Sequence, residues 1–318
     1  MKKKVAIIGL GNIGQRHLQG IMNYSSEYDI YGVDNDSDKI QELKTRYHDD
    51  CVLLTTFEGL PKSIDMVVVA TASSVRRNVI NSIFESGIDV SYMILEKVLF
   101  QNEEDYYWAD EQFNKRKIEA WVNCVRRETP GYNFLKCKLN DSKSFVFKVY
   151  GSDWGLCCNG IHFLDAISFL ADDAEIILDD NGLELPIVDS KRVGFKECFG
   201  TISGKAGKCT GFSIECDKND YVSTTVYIES NKFSILIDED KRQACIRDNE
   251  QTTGFELIDF EFPYVSELSG RIINDILTTG VCELPSYQKS MEIHLKYIKM
   301  INSFFINNGL EVKECPIT

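Results

Sequence analysis

The chain has 318 residues, of which 43% are apolar, with a formal net charge of −14 and eleven cysteines. That length exceeds one ordinary core and implies two domains. The acidic balance, with no Lys/Arg stripe, argues against a nucleic-acid partner, and no apolar run approaches the roughly 20 residues of a membrane helix. The lysines at 2–4 imitate the start of a signal peptide, but glycines break the apolar run after them and no small-residue cleavage site follows. The cysteines are scattered without a CxxC pair, and His17, His48, His162 and His294 fall at no metal-ligand spacing. Reduced thiols in a cytoplasmic protein without a metal are therefore expected.

Residues 4–8 (KVAII) predict a strand, GLGNIG (9–14) a turn, and 15–24 a helix. Strands are then expected at 28–34, 51–57, 64–70, 90–95 and 118–124, with helices at 37–47, 75–87 and 103–117. The near-continuous apolar run IDMVVVA at 64–70 suits a parallel strand covered on both faces. This alternation predicts a doubly wound α/β domain of Rossmann type over 1–124. A helix at 131–139, a strand at 144–151 and a helix at 155–171 follow. From 174 to 262 the pattern is of strands broken at 181–182, 203–208, 217–220 and 238–242, which predicts a large, mostly antiparallel open sheet. Helices at 266–280 and 286–309 close a second, α+β domain over 125–318, expected to bind substrate and to oligomerise. The last helix can return to the first domain.

Gly9, Gly11 and Gly14 spell GxGxxG directly after a strand and at the opening of a helix, with Asn12 and Ile13 inside the turn. Gly9 permits the turn, Gly11 lets backbone approach a pyrophosphate, and Gly14 lets the helix pack against its strand. The helix N-terminus offers N–H groups to the phosphates. Asp34 ends the second strand 20 residues after Gly14, where a carboxylate can hold the adenosine ribose. The alternative is a purely structural strand–turn–helix. Asp34 would repel a 2′-phosphate and Asn35 and Asp36 bring no cation, so NAD is favoured over NADP. Ala70 and Thr71 follow the fourth strand and are expected at the cofactor cleft; a plain strand-end turn is the alternative.

Glu96 and Lys97 leave the carboxyl end of the next strand, where the nicotinamide should lie. Lys97 is placed to hold a substrate hydroxyl or carry its proton. A lysine with an ordinary pKa of about 10.4 needs burial or nearby positive charge to act as a base. Glu96 could orient Lys97 or contact the cofactor ribose; the competing reading is a structural ion pair. Further along, Cys158 and His162 lie four apart on a predicted helix and so share a face, with Asp165 three residues on. His162 could bind or deprotonate substrate, or be a satisfied, half-buried group. Arg126 and Arg127 suit an anionic sugar or a solvated face. Trp154 suits a sugar-stacking wall or the core.

The segments VAIIGLGNIGQRHL, VVVATASS, ILEKVLF and NGIHFLD, in this order, resemble the glucose–fructose oxidoreductase / inositol dehydrogenase / rhizopine-catabolism (Gfo/Idh/MocA) family. The resemblance implies a Rossmann domain followed by an α/β domain with an open antiparallel sheet. It further implies NAD(P)-dependent oxidation or epimerisation of sugars, cyclitols or nucleotide sugars, and homodimers or homotetramers formed through the C-terminal sheet. It makes Lys97 and His162 the catalytic pair, converging on one bound nicotinamide. Departures are Val98 for the family's proline after the lysine, Cys158 for its aspartate, Thr71-Ala72 for Thr-Pro and Arg76 for a histidine. The expected function is an NAD-dependent oxidoreductase acting on a small carbohydrate. The alternatives are a cofactor-bound sensor or scaffold without turnover, and a non-redox epimerase or lyase holding NAD tightly.

Overall fold

The computed structural model describes residues 2–179, 182–218, 222–251 and 254–318. The turns expected at 181–182 and 217–220 lie partly outside the described residues. The chain divides into two compact units, residues 1–125 with 263–291 and residues 126–262 with 292–318.

The first unit alternates strands and helices: β1 (Lys3–Ile8), α1 (Asn12–Met22), β2 (Tyr28–Val33), α2 (Ser37–Tyr47), β3 (Val52–Leu54) and β4 (Ser63–Val69). It continues with α3 (Ser73–Glu85), β5 (Asp89–Leu95), α4 (Glu103–Arg116) and β6 (Glu119–Val122). The six strands form one sheet in the order β3-β2-β1-β4-β5-β6, all parallel. Central β1 and β4 are buried on both faces, Val5 to Ile8 and Met66 to Val69, which is why their sequences run apolar without alternation. The strand expected at 51–57 shortens to β3, an edge strand with only β2 to pair. Strand order reverses between β1 and β4, and there the carboxyl ends diverge into a crevice.

The second unit holds α5 (Pro130–Asn140), β7 (Phe145–Ser152), α6 (Leu156–Leu170), β8 (Ile177–Leu178), β9 (Gly182–Asp189), β10 (Lys196–Ala206) and β11 (Cys209–Asp217). Then come β12 (Thr225–Ser230), β13 (Phe233–Asp238), β14 (Gln243–Asp248) and β15 (Glu256–Asp259). Nine strands form a sheet ordered β15-β14-β13-β12-β7-β11-β10-β8, with β9 beside β10. Every pairing is antiparallel except β7 with β11. Helix α6 packs on β10 and β11 and is apolar almost all round, so it lies in the core. On the opposite face Tyr150, Leu236 and Leu257 are exposed.

The chain then returns to the first unit as α7 (Val265–Thr279), which packs on α1. The two helices meet at Gly20 and Gly270, where a Cβ on Gly270 would lie 2.3 Å from the Gly20 carbonyl oxygen. α8 (Tyr287–Asn307) ends the helical chain. Among the described residues no helix is long and apolar enough to cross a membrane.

Candidate functional site

Gly9 follows β1 with φ +87°, a left-handed conformation that favours glycine. A Cβ on Gly14 would stand 1.8 Å from the Gly9 carbonyl oxygen, so only glycine lets α1 start this close to the turn. A Cβ on Gly11 meets nothing within 4 Å. The backbone there faces open space at the start of α1, whose first N–H groups are unpaired within the helix. Asn12 and Ile13, the other expected turn residues, form the first turn of α1.

Across the crevice, Ala70 N–H donates to the Ile8 carbonyl at 2.8 Å and brings Thr71 beside Gly9. The Thr71 hydroxyl is buried and has no hydrogen-bond partner among the described residues. A buried hydroxyl left unpaired is costly, and a bound polar ligand would relieve it. Open space above Gly11, the helix N-terminus and the orphaned hydroxyl together fit a dinucleotide.

Asp34, only 9% exposed, sits at the end of β2 as expected. Its Oδ2 accepts from the Leu10 N–H at 2.6 Å and its Oδ1 from the Asp36 N–H at 3.0 Å, so the carboxylate ties the glycine turn to β2. It also pairs with the Lys39 ammonium at 3.1 Å. Positions 35 and 36 offer no cation beside Asp34, but Lys39 does. The residue lies in the first turn of α2 after its Asp36 cap, and helical geometry alone could have pointed to it.

Glu96 is buried, and its Oε1 meets His17 Nε2 at 2.9 Å and takes a hydrogen bond from Asn123 Nδ2. His17 Nδ1 in turn lies 2.7 Å from Ser269 Oγ on α7. Burial opposes the charge on Glu96, but the hydrogen bond and charge of His17, with help from Lys97 and Asn123, outweigh it and lower the carboxyl pKa. Glu96 is thus an internal anchor joining α1 and the ends of β5 and β6, with Lys97 half-buried beside it. His17 falls at no metal-ligand spacing, and its three-residue spacing from Gly14 turns it inward. Asn123 stands at a strand end by the same rule that located Glu96.

The peptide between Lys97 and Val98 is cis, with valine standing where the family motif has proline. Arg76, 1% exposed, donates to the Val98, Leu99 and Thr71 carbonyls and clamps the ends of β4 and β5 together. It fills its position with a bond set that no short-range pattern announces.

In the second unit, Cys158, Asn159 and His162 form the half-exposed stripe of an otherwise buried α6, in keeping with their spacing. Asp165 turns away from that stripe: it is buried, and its Oδ2 accepts from Arg127 Nε at 2.8 Å, with Arg127 reaching Asp173 as well. Burial pushes the Asp165 carboxyl up, against the pull of Arg127. Arg126 grips Glu239 through two bonds, at 3.0 and 2.6 Å, and its guanidinium lies 4.1 Å from the Phe163 ring centre. Trp154 donates to the Glu215 carbonyl at 3.0 Å and meets Phe163 edge-on at 5.6 Å. The Glu197 carboxylate of β10 accepts from the Cys157 N–H at 2.7 Å and the Cys158 N–H at 3.1 Å, capping α6. It brings a carboxylate to the helix that carries Cys158, from a strand about 40 residues away that no local pattern links to it.

Residues 3–123 match the model of the oxidoreductase family with an NAD-binding Rossmann fold, the Gfo/Idh/MocA family. No curated protein matches the chain. Among solved structures, it is similar to UDP-N-acetylglucosamine 3-dehydrogenase from Acidithiobacillus ferrooxidans at 13% identity, covering 94% of this chain and 97% of that one, TM-score 0.72. A super-repressor mutant of Gal80p from Saccharomyces cerevisiae is similar at 14% identity, covering 96% and 97%, TM-score 0.76. A Gfo/Idh/MocA family oxidoreductase from Vibrio cholerae is similar at 17% identity, covering 96% and 99%, TM-score 0.72. At these identities the likeness is one of fold, and it extends over both units.

Proposed function

Starting from a first domain that belongs to the Gfo/Idh/MocA oxidoreductase family, we propose that the chain is an NAD-dependent oxidoreductase of a sugar, cyclitol or nucleotide sugar. The observation that carries this reading is the anchored Glu96-Lys97 pair at the carboxyl edge of the parallel sheet, beside a glycine turn open to a dinucleotide. NAD bound there would supply the hydride acceptor. Gly9, Gly11, Asn12, Ile13 and Gly14 would take the pyrophosphate, Asp34 the adenosine ribose, and Ala70 and Thr71 the nicotinamide side. Lys97 Nζ would hold the reacting hydroxyl and receive its proton. His162 would be a second proton-handling residue, with Cys158 along the same stripe. Arg126, Arg127 and Asp165 would shape the substrate side through their ion pairs, and Trp154 through its packing.

A carbohydrate substrate is supported by the likeness to a nucleotide-sugar dehydrogenase. Two observations favour a second reading, a sensor that binds cofactor without turnover: Cys158 replaces an aspartate of the family motif, and the fold is shared with a repressor protein. Turnover by way of NAD without net redox is a third.

Purified protein titrated with NAD and then offered a panel of sugars and nucleotide sugars separates them. Stoichiometric NADH production, lost in Lys97→Met while NAD binding persists, is the expected result. A loss of about 10²–10⁴-fold is the usual scale for a proton-transfer group. Conversion without net NADH would establish the non-redox enzyme, and binding without conversion in wild type and Lys97→Met alike would establish the sensor.

A further inference from the structure

The Asp34 carboxylate is already partly satisfied by the protein. Oδ2 carries the Leu10 N–H and the Lys39 ammonium, and Oδ1 carries the Asp36 N–H. An adenosine ribose diol binding at Asp34 must therefore compete with Lys39. The same ammonium stands where a 2′-phosphate on that ribose would need a cation. Lys39 is held loosely enough to change partner: its side chain is 26% exposed, and its second neighbour, the Asp36 carboxylate, is 3.6 Å away. Asp36 is itself committed to capping α2 through the Asp38 and Lys39 N–H groups, at 3.1 and 3.0 Å. Its charge is thus largely spent on the helix start.

We infer that Lys39 is a specificity-determining residue that makes the adenosine end of the site tolerant of both cofactors. It is a counter-ion that leaves Asp34 to receive the ribose hydroxyls of NAD and turns to the 2′-phosphate of NADP. The inference rests on the nucleotide-binding reading above and deepens it. NAD remains the better ligand, because the Asp34 charge persists, but by a small factor.

The test is direct binding, by quenching of protein fluorescence or calorimetry, of NAD and NADP to wild type, Lys39→Met and Lys39→Arg. In wild type, NADP is expected within about tenfold of NAD, a gap of one decade in Kd. Lys39→Met should move the two ligands in opposite directions, with NAD a few-fold tighter because Asp34 is freed and NADP at least about tenfold weaker. Lys39→Arg, which keeps the charge, should retain NADP. A parallel loss of both ligands in Lys39→Met, or wild-type NADP binding more than about a hundredfold weaker than NAD, overturns the inference and leaves nucleotide binding standing. Failure of wild type to bind either cofactor overturns the nucleotide-binding reading itself.

Discussion

At the scale of single residues, the two glycines of the turn make opposite demands. Gly11 faces open space, so Gly11→Val should fold normally yet block the dinucleotide. Cofactor affinity should fall by at least about a hundredfold, equivalent to about 2.7 kcal/mol, with thermal stability unchanged. Gly14→Ala instead drives a methyl into the Gly9 carbonyl and should cost about 1–3 kcal/mol of stability, read by denaturant unfolding. Glu96 carries a pH signature. Its folded pKa lies below its ordinary 4.5, so its contribution is complete above that value and drains away as pH falls through the folded pKa. Wild type should lose stability on acidification below about pH 4.5, and Glu96→Gln should flatten that loss while lowering stability at neutral pH. A neutral-pH stability equal to wild type would show that the anchor contributes nothing. The glycines and Asp34 were legible from spacing. The partners of Glu96 were not, because His17 and Asn123 come from separate elements, and Ser269, which braces His17, comes from a third.

At the scale of elements, helix and strand positions followed from periodicity, since each element buries an apolar stripe or face. α2 matches its expected range of 37–47, and α7 and α8 fall within a residue or two of theirs. What periodicity does not reveal is which elements touch. α7 follows the second sheet in sequence yet packs on α1, through the crossing at Gly20 and Gly270. Gly270→Val should therefore destabilise the first unit by about 1–3 kcal/mol, or more if the helices cannot separate. It should also weaken NAD binding, since α1 opens at the glycine turn and Ser269 braces His17. Thermal melts with and without NAD test this, and an unchanged melting temperature would refute the crossing.

At the scale of the whole molecule, the nine-stranded sheet presents Tyr150, Leu236 and Leu257 on the face away from α6. The side chains of Leu236 and Tyr227 pair in register, as do Leu236 and Cys245, and Leu257 continues that row. Exposed apolar rows of this kind seek cover, so a homodimer or homotetramer through this sheet is our expectation. Light scattering of the eluting protein should give a multiple of 36.2 kDa, and Leu236→Arg should shift it toward monomer. A wild-type monomer at tens of micromolar would count against it.

The sequence by itself determined the class of the protein: alternating strands and helices, a glycine turn followed by an acid at the next strand end, and a lysine at the rim of the sheet. These are local signals, set by side-chain period, backbone conformation and the direction in which a parallel strand delivers its last residues. Only the tertiary structure decided what each charged group answers to. His17 and Asn123 on Glu96, Arg76 on the Val98 carbonyl, Asp165 on Arg127 and Glu197 on the start of α6 are pairings across distance in the chain. The physical reason is that a buried charge must find compensation wherever the fold brings it, and a short stretch of sequence does not contain the fold.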